Sequence, residues 1–178
     1  YKDHIPEASD FLVERIEKMG GVIIGKTNTP EFGAGSQTFN EVFGETPNPW
    51  NLGYTSGGSS GGTASALAAG AAWLGTGSDL GGSLRNPASF CGVVGIRTTP
   101  GTIAHGPQNL PLNDLSVDGP MARNVEDIAL FLDTLSGLDP RDPLSISAPK
   151  KPYQNAINEN VPKLNIGISD DYGFLACA

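Results

Sequence analysis

Residues 51 to 84 run for 34 positions with a single charged side chain, Asp79, and residues 57 to 82 hold nine glycines. A stretch so poor in charge is either a flexible linker or part of the interior, and its contents decide between the two. Residues 64–74 are an alanine-rich run of good helix formers, which glycine- and serine-rich linkers lack. The segment therefore reads as buried, with a helix over residues 64–74 set among tight turns.

Upstream, Ser9 stands where an N-cap belongs, and Leu12, Ile16 and Met19 recur at helical spacing with Gly20 in the C-terminal glycine place. This predicts a helix over residues 9–19, followed by a short buried strand at Val22-Ile23-Ile24. Residues 28–54 carry Gly, Pro, Asn and Thr without sustained periodicity and read as loops and turns. Downstream, Val93-Val94-Gly95-Ile96 predicts another buried strand. Asn124 caps a helix with the apolar face Val125, Ile128, Leu132 and Leu135, ending at Gly137. Asp139-Pro140-Arg141-Asp142-Pro143 breaks the chain. Residues up to Val161 read as a surface connection, and Leu164-Asn165-Ile166-Gly167-Ile168 as a last strand. Helices alternating with short apolar strands predict an α/β fold, a mixed β-sheet core covered by helices. A length of 178 residues suits one domain or one large piece of a domain.

Lys and Arg total 11 against 19 Asp and Glu, a net charge of −8, so the basic patch that nucleic acid or an anionic membrane requires is not expected. The reading is no nucleic acid and no membrane. No apolar run approaches the roughly 20 residues of a membrane span, and Tyr1-Lys2-Asp3-His4 begins no apolar signal-peptide core. Cys91 and Cys177 make no disulfide framework and show no metal-ligand spacing, which predicts a reduced, cytoplasmic setting and no metal.

Three glycine motifs compete for attention. Gly20-Gly21-Val22-Ile23-Ile24-Gly25-Lys26-Thr27 matches the P-loop pattern literally, but its β-branched middle belongs to a strand and not to a loop that wraps phosphate. The dinucleotide fingerprint starting at Gly75 fails at Leu80, where a third glycine is needed. Gly57-Gly58-Ser59-Ser60-Gly61 matches the nucleophile elbow of α/β-hydrolases, an esterase reading with Ser59 as nucleophile. Its weaknesses are a turn-like segment ahead of Ser59 and a single downstream histidine, His105.

The ensemble is more specific than any of these. Gly57-Gly58-Ser59-Ser60-Gly61-Gly62-Thr63, then Gly75-Thr76-Gly77-Ser78-Asp79-Leu80-Gly81-Gly82-Ser83-Leu84-Arg85, then Cys91-Gly92-Val93-Val94-Gly95, resembles the amidase signature family. Gly25-Lys26-Thr27-Asn28, Asn48-Pro49-Trp50 and Gly119-Pro120-Met121-Ala122-Arg123 match as well, so the resemblance spans nearly the whole chain.

The resemblance implies that Ser83 is the acyl-forming nucleophile and Ser59 a hydroxyl relay entered through a cis Gly58–Ser59 peptide. The residues suit those roles. Both serines lie in glycine-rich turns, and the N–H groups of Leu80, Gly81, Gly82 and Ser83 can converge on an oxyanion, where one lost donor costs about 3–4 kcal/mol of barrier. Asp79 is either an acceptor for the loop amides or a buried partner for Arg85, and the latter is favoured. Cys91 reads as a small core residue, and Thr63 and Ser60 as hydroxyls bonded to backbone in the turn and helix start. Gly33, Ala34 and Gly35 form the expected substrate-binding loop.

The family's general base is a lysine in an earlier strand. Lys26 matches the family's Gly-Lys-Thr-Asn turn instead, and Lys2 lies in an unlike segment. Residues 1–178 are thus expected to be the central part of a single amidase domain, with the lysine-bearing N-terminal part and a C-terminal part outside them. A lysine base must be neutral, which requires burial.

The function that follows is hydrolysis of a carboxamide C–N bond in a small-molecule substrate through a serine acyl-enzyme, with no cofactor. A homodimer is allowed for. The family also includes the glutamine-hydrolysing component of tRNA amidotransferases. Phe39-Asn40-Glu41-Val42-Phe43 does not resemble that component, so simple amide hydrolysis leads. A catalytically silent fragment is the remaining alternative.

Overall fold

The computed structural model describes residues 2–107 and 110–175, so Tyr1 and Cys177 lie outside it. Helix α1 (Phe11–Lys18) buries Leu12 and Ile16 and ends before Gly20, which has φ +89°. Its N-cap is Asp10 and not Ser9: the Asp10 carbonyl accepts from Val13 N (2.9 Å) and Glu14 N (3.0 Å). Two small antiparallel hairpins follow where loops were expected, β1 (Phe39–Asn40) with β2 (Gly44–Glu45) and β3 (Pro47–Asn48) with β4 (Asn51–Thr55). Helix α2 (Gly61–Ala68) is shorter than the predicted run, because the chain turns at Ala69 and Gly70 and Leu74 already belongs to a strand.

That strand, β5 (Leu74–Asp79), leads through a turn into helix α3 (Arg85–Cys91) and strand β6 (Val94–Gly95). Strand β7 (Val117–Ala122) lies between β5 and β6, antiparallel to both. Its Gly119 and Pro120 disguise a central strand, yet Pro120 contributes what the ladder needs there, a carbonyl that accepts from Ile96 N (3.2 Å). Helix α4 (Val125–Leu135) begins as expected, with Asn124 Oδ1 accepting from Asp127 N at 2.7 Å. The short helix α5 (Tyr153–Ala156) is capped by the Asp133 carboxylate, which accepts from Tyr153 N (2.6 Å) and Gln154 N (3.1 Å).

The fold is α/β, with helices on both faces of the three-stranded sheet. One core joins α1 and α4 to the sheet through Leu12, Ile16, Ala122, Ile128, Phe131 and Leu135. The other joins α2 and α3 through Ala64, Leu67, Leu84, Ala88, Cys91 and Met121. Alternation assigns the faces: Ala122 and Leu74 look toward α4, Met121 toward α2. On the α2 face Gly75 and Gly77 must be glycine, since a Cβ would collide with Thr63 at the first and with Ser60 Oγ at the second. The helix lies directly on the backbone of the strand.

Two predicted strands do not form. Val22, Ile23 and Ile24 are exposed and pair with no strand among the described residues, and residues 164–168 are likewise exposed and unpaired. Both have apolar residues that favour strands, but a strand also needs a neighbour with open N–H and C=O groups. Among the described residues no helix is long and apolar enough to cross a membrane.

Candidate active site

Ser59 lies in the turn between β4 and α2, after Gly57 (φ +76°) and a cis Gly58–Ser59 peptide, and is almost fully buried. The strand ahead of it, β4, stands where the sequence reads as turn-like. Ser83 lies in the turn between β5 and α3, partly exposed. The two turns meet: Ser60 N donates to Ser83 O at 3.2 Å. Ser60 and Thr63 hold α2 on β5, whereas backbone partners within the turn and helix start were expected. Ser60 Oγ donates to Ser78 O (3.4 Å) and accepts from Ser78 N (3.3 Å), and Thr63 Oγ1 donates to Thr76 O (3.1 Å).

Asp79 performs both of the roles weighed for it. Its carboxylate is fully buried, and Oδ1 accepts from Gly82 N at 2.8 Å while Oδ2 accepts from Leu84 N at 3.2 Å. Arg85 binds it through Nε (3.0 Å to Oδ2) and Nη2 (3.0 Å to Oδ1), and Arg97 Nη1 adds a third cationic contact at 3.3 Å. Burial alone raises a carboxyl pKa, but the Arg85 hydrogen bonds and the Gly82 and Leu84 N–H groups outweigh it and hold Asp79 well below the usual carboxylate range. The side chain thus shapes the turn on both sides of Ser83. It also narrows the predicted oxyanion donors. Gly82 N–H is occupied by Asp79, whereas for Leu80, Gly81 and Ser83 N–H no acceptor is found among the described residues.

Gly33, Ala34 and Gly35 sit in an exposed turn that begins at Glu31–Gly33. The same loop continues onto the Ser59 turn: a Cβ at Gly58 would stand 2.7 Å from Gln37 N. Thr38, which no sequence motif marks, is buried there and donates from Oγ1 to Gly57 O at 2.8 Å. Further out, Asn40 Nδ2 donates to Asn28 Oδ1 (2.6 Å), and Asn28 Nδ2 donates to Gly44 O (3.1 Å), tying the Gly25-Lys26-Thr27-Asn28 turn to this loop. Arg123, in the matched Gly-Pro-Met-Ala-Arg segment, donates to Leu67 O (3.1 Å) and Ala72 O (2.8 Å) at the C-terminal end of α2.

Three other candidates fall away from the serines. His105 Nδ1 lies 2.6 Å from Asp118 Oδ2, and Asp118 is on the α4 face of the sheet, opposite Ser59 and Ser83, so His105 is not placed to serve Ser59 as the esterase reading asks. Cys91 is fully buried with its thiol pKa raised by burial, as a core residue. Every one of the six lysines, Lys2, Lys18, Lys26, Lys150, Lys151 and Lys163, is exposed, so none has the burial a neutral base requires. Among the described residues no group of three or more His, Cys, Asp or Glu is placed to hold a metal ion.

Known proteins resemble this chain in sequence and in fold. A glutamyl-tRNA(Gln) amidotransferase subunit of Methanosarcina barkeri is 44% identical over 171 residues, 96% of this chain and 36% of the relative. A solved 6-aminohexanoate cyclic dimer hydrolase superposes with a TM-score of 0.83 at 41% identity, covering 89% of this chain and 34% of that one. A bacterial aryl acylamidase of the amidase signature family gives 0.86 at 32% identity, covering 94% and 34%. The chain therefore spans about a third of the length of the relatives it matches.

These matches correct one expectation. The first relative is named as one component of an enzyme whose name carries a tRNA, so the exclusion of nucleic acid drawn from net charge does not stand. Net charge describes this chain's own surface and says nothing of a nucleic acid held by another polypeptide. The Amidase family pattern matches residues 1–176, and with the paired serine turns, the chain belongs to the amidase family.

Proposed function

We propose that these residues are the central part of an amidase that cleaves a carboxamide C–N bond through an acyl-enzyme on Ser83. Ser83 Oγ attacks the carbonyl carbon and its proton passes through Ser59 toward a lysine outside residues 1–178. The proton returns to the leaving amine as the C–N bond breaks, and water then hydrolyses the acyl ester. The observation that carries this reading is the contact of the two serine turns on one sheet face through Ser60 N and Ser83 O. The N–H groups of Leu80, Gly81 and Ser83 support an oxyanion site beside it. The exposure of every lysine supports a base supplied from elsewhere.

A second reading, hydrolysis of glutamine to feed an amidotransferase, is favoured by the 44% identity to the Methanosarcina barkeri relative. The cytoplasm is the setting we assign, on the pattern of the cysteines.

The deciding assay measures ammonia release by the complete protein from aliphatic, aromatic and amino-acid amides with glutamine among them, alongside labelling by a fluorophosphonate. Ser83→Ala is expected to abolish turnover and labelling. Labelling that moves to Ser59 or survives in Ser83→Ala refutes the assignment. Turnover of glutamine alone selects the second reading.

A further inference from the structure

We propose that Thr38 is a positioning residue for Ser59, an inference that rests on Ser59 being the proton relay. Thr38 is 21 positions away in the chain, only 3% exposed, and every hydrogen bond of its hydroxyl goes to the Ser59 turn. Oγ1 donates to Gly57 O at 2.8 Å, with Ser59 O beside it at 3.3 Å, and accepts from Gly61 N at 3.1 Å. One hydroxyl thus grips the residue two before Ser59, the carbonyl of Ser59 itself and the amide two after it. A hydroxyl has one proton and two lone pairs, so this geometry uses its donor, and the Thr38 hydroxyl has no other partner among the described residues.

The fit leaves no slack. A Cβ at Gly61 would collide with Thr38 Oγ1 and a Cβ at Gly58 would meet Gln37 N at 2.7 Å, so the bend at residues 36–38 and the serine turn are in backbone contact. Thr38 also ends the loop that carries Gly33, Ala34 and Gly35. It therefore connects the expected substrate loop to the relay turn. Valine matches the shape of threonine but offers neither donor nor acceptor, and would leave Gly61 N–H unpaired and Gly57 C=O with only the long 3.4 Å contact from Ser56 Oγ.

The test compares Thr38→Val, Thr38→Ser and Ser59→Ala in the complete protein, reading kcat and KM separately along with Tm. In Thr38→Val, kcat falls by about 100-fold, the effect of roughly 1 Å of misplacement, with KM little changed. Thr38→Ser restores most of kcat, because it returns the hydroxyl. The proposal is overturned if Thr38→Val keeps its kcat, if only KM moves, or if Thr38→Ser is as impaired as Thr38→Val. Should Thr38→Val fail to fold, Thr38→Ala scored in the same way decides. Ser59→Ala separates the two layers of argument: full activity there refutes the relay role and the proposal with it, whereas an inactive Ser59→Ala beside an active Thr38→Val refutes the Thr38 proposal alone.

Discussion

Replacing Asp79 with asparagine removes a charge while keeping the volume of the side chain. In the parent, Oδ1 receives Gly82 N, Arg85 Nη2 and Arg97 Nη1, and Oδ2 receives Leu84 N and Arg85 Nε. Asparagine has one oxygen, so its NH2 group must face one of these two sets of donors. A buried donor left without an acceptor costs about 1–3 kcal/mol. The Arg85 side chain is 56% exposed, so its lost pairing is screened and adds no more than about 1 kcal/mol. Together these give roughly 2–3 kcal/mol of stability, or a fall of roughly 4–12 °C in Tm. The Gly82–Ser83 turn also loses its anchor, and the rate of fluorophosphonate labelling at Ser83 is expected to drop by about 100-fold. The pH dependence has a defined sign. A carboxylate held below its ordinary value of 3.8 contributes stability that is present above that value and is lost as pH falls through the depressed one. The gap between parent and variant therefore persists from neutral pH down to the ordinary carboxylate range and closes only below it. A variant that melts with the parent and labels at the parent's rate would show that Asp79 is a passive partner of Arg85.

Two further outcomes follow from residues away from the serines. Lys26→Ala is expected to keep kcat/KM within about tenfold, or 1.4 kcal/mol, because Lys26 is exposed; a loss of several decades in a folded variant would make it the base. His105 has a raised pKa, caused first by its hydrogen bond to Asp118 against the opposing effect of burial, and helped by the Asp118, Asp10 and Asp142 charges. Its contribution to stability is full below the ordinary imidazole value of 6.5 and is lost as pH rises through the higher folded value. Thermal melts across that range should show a decline that His105→Gln lacks, and an equal decline in both proteins would assign it to another group.

Local signals are legible where a segment settles its own structure. Helix α4 is such a case, since the Asn124 cap and the apolar spacing lie within one stretch of chain. Strands β5 and β7 are not, because Gly75, Gly77, Gly119 and Pro120 are poor strand formers that are present for what packs on them or pairs with them. Val22-Ile23-Ile24 shows the converse, a good strand pattern with no neighbour among the described residues. At the site, the serines and the glycine turns carry a recognisable pattern, whereas Thr38 carries none. Its role depends on a hydroxyl meeting a turn 21 positions away, and no local spacing encodes that. Asp79 is legible as half of a pair with Arg85, but the Gly82 and Leu84 contacts depend on how the turn folds back.

The bare sheet face under α2 has a bearing on how such a scaffold diversifies. Where helix and strand touch through glycine, there are no side chains to trim or enlarge: a Cβ at Gly77 meets Ser60 and one at Gly75 meets Thr63, both at the start of the helix that follows Ser59. Selection for a new substrate finds no adjustable parts there. Latitude is concentrated instead in the exposed side chains of Glu31, Ala34 and Ser36, since positive φ holds Gly33 and Gly35 to glycine and Gln37 backs onto Gly58. Mutant libraries aimed at altered amide preference are therefore best confined to that rim.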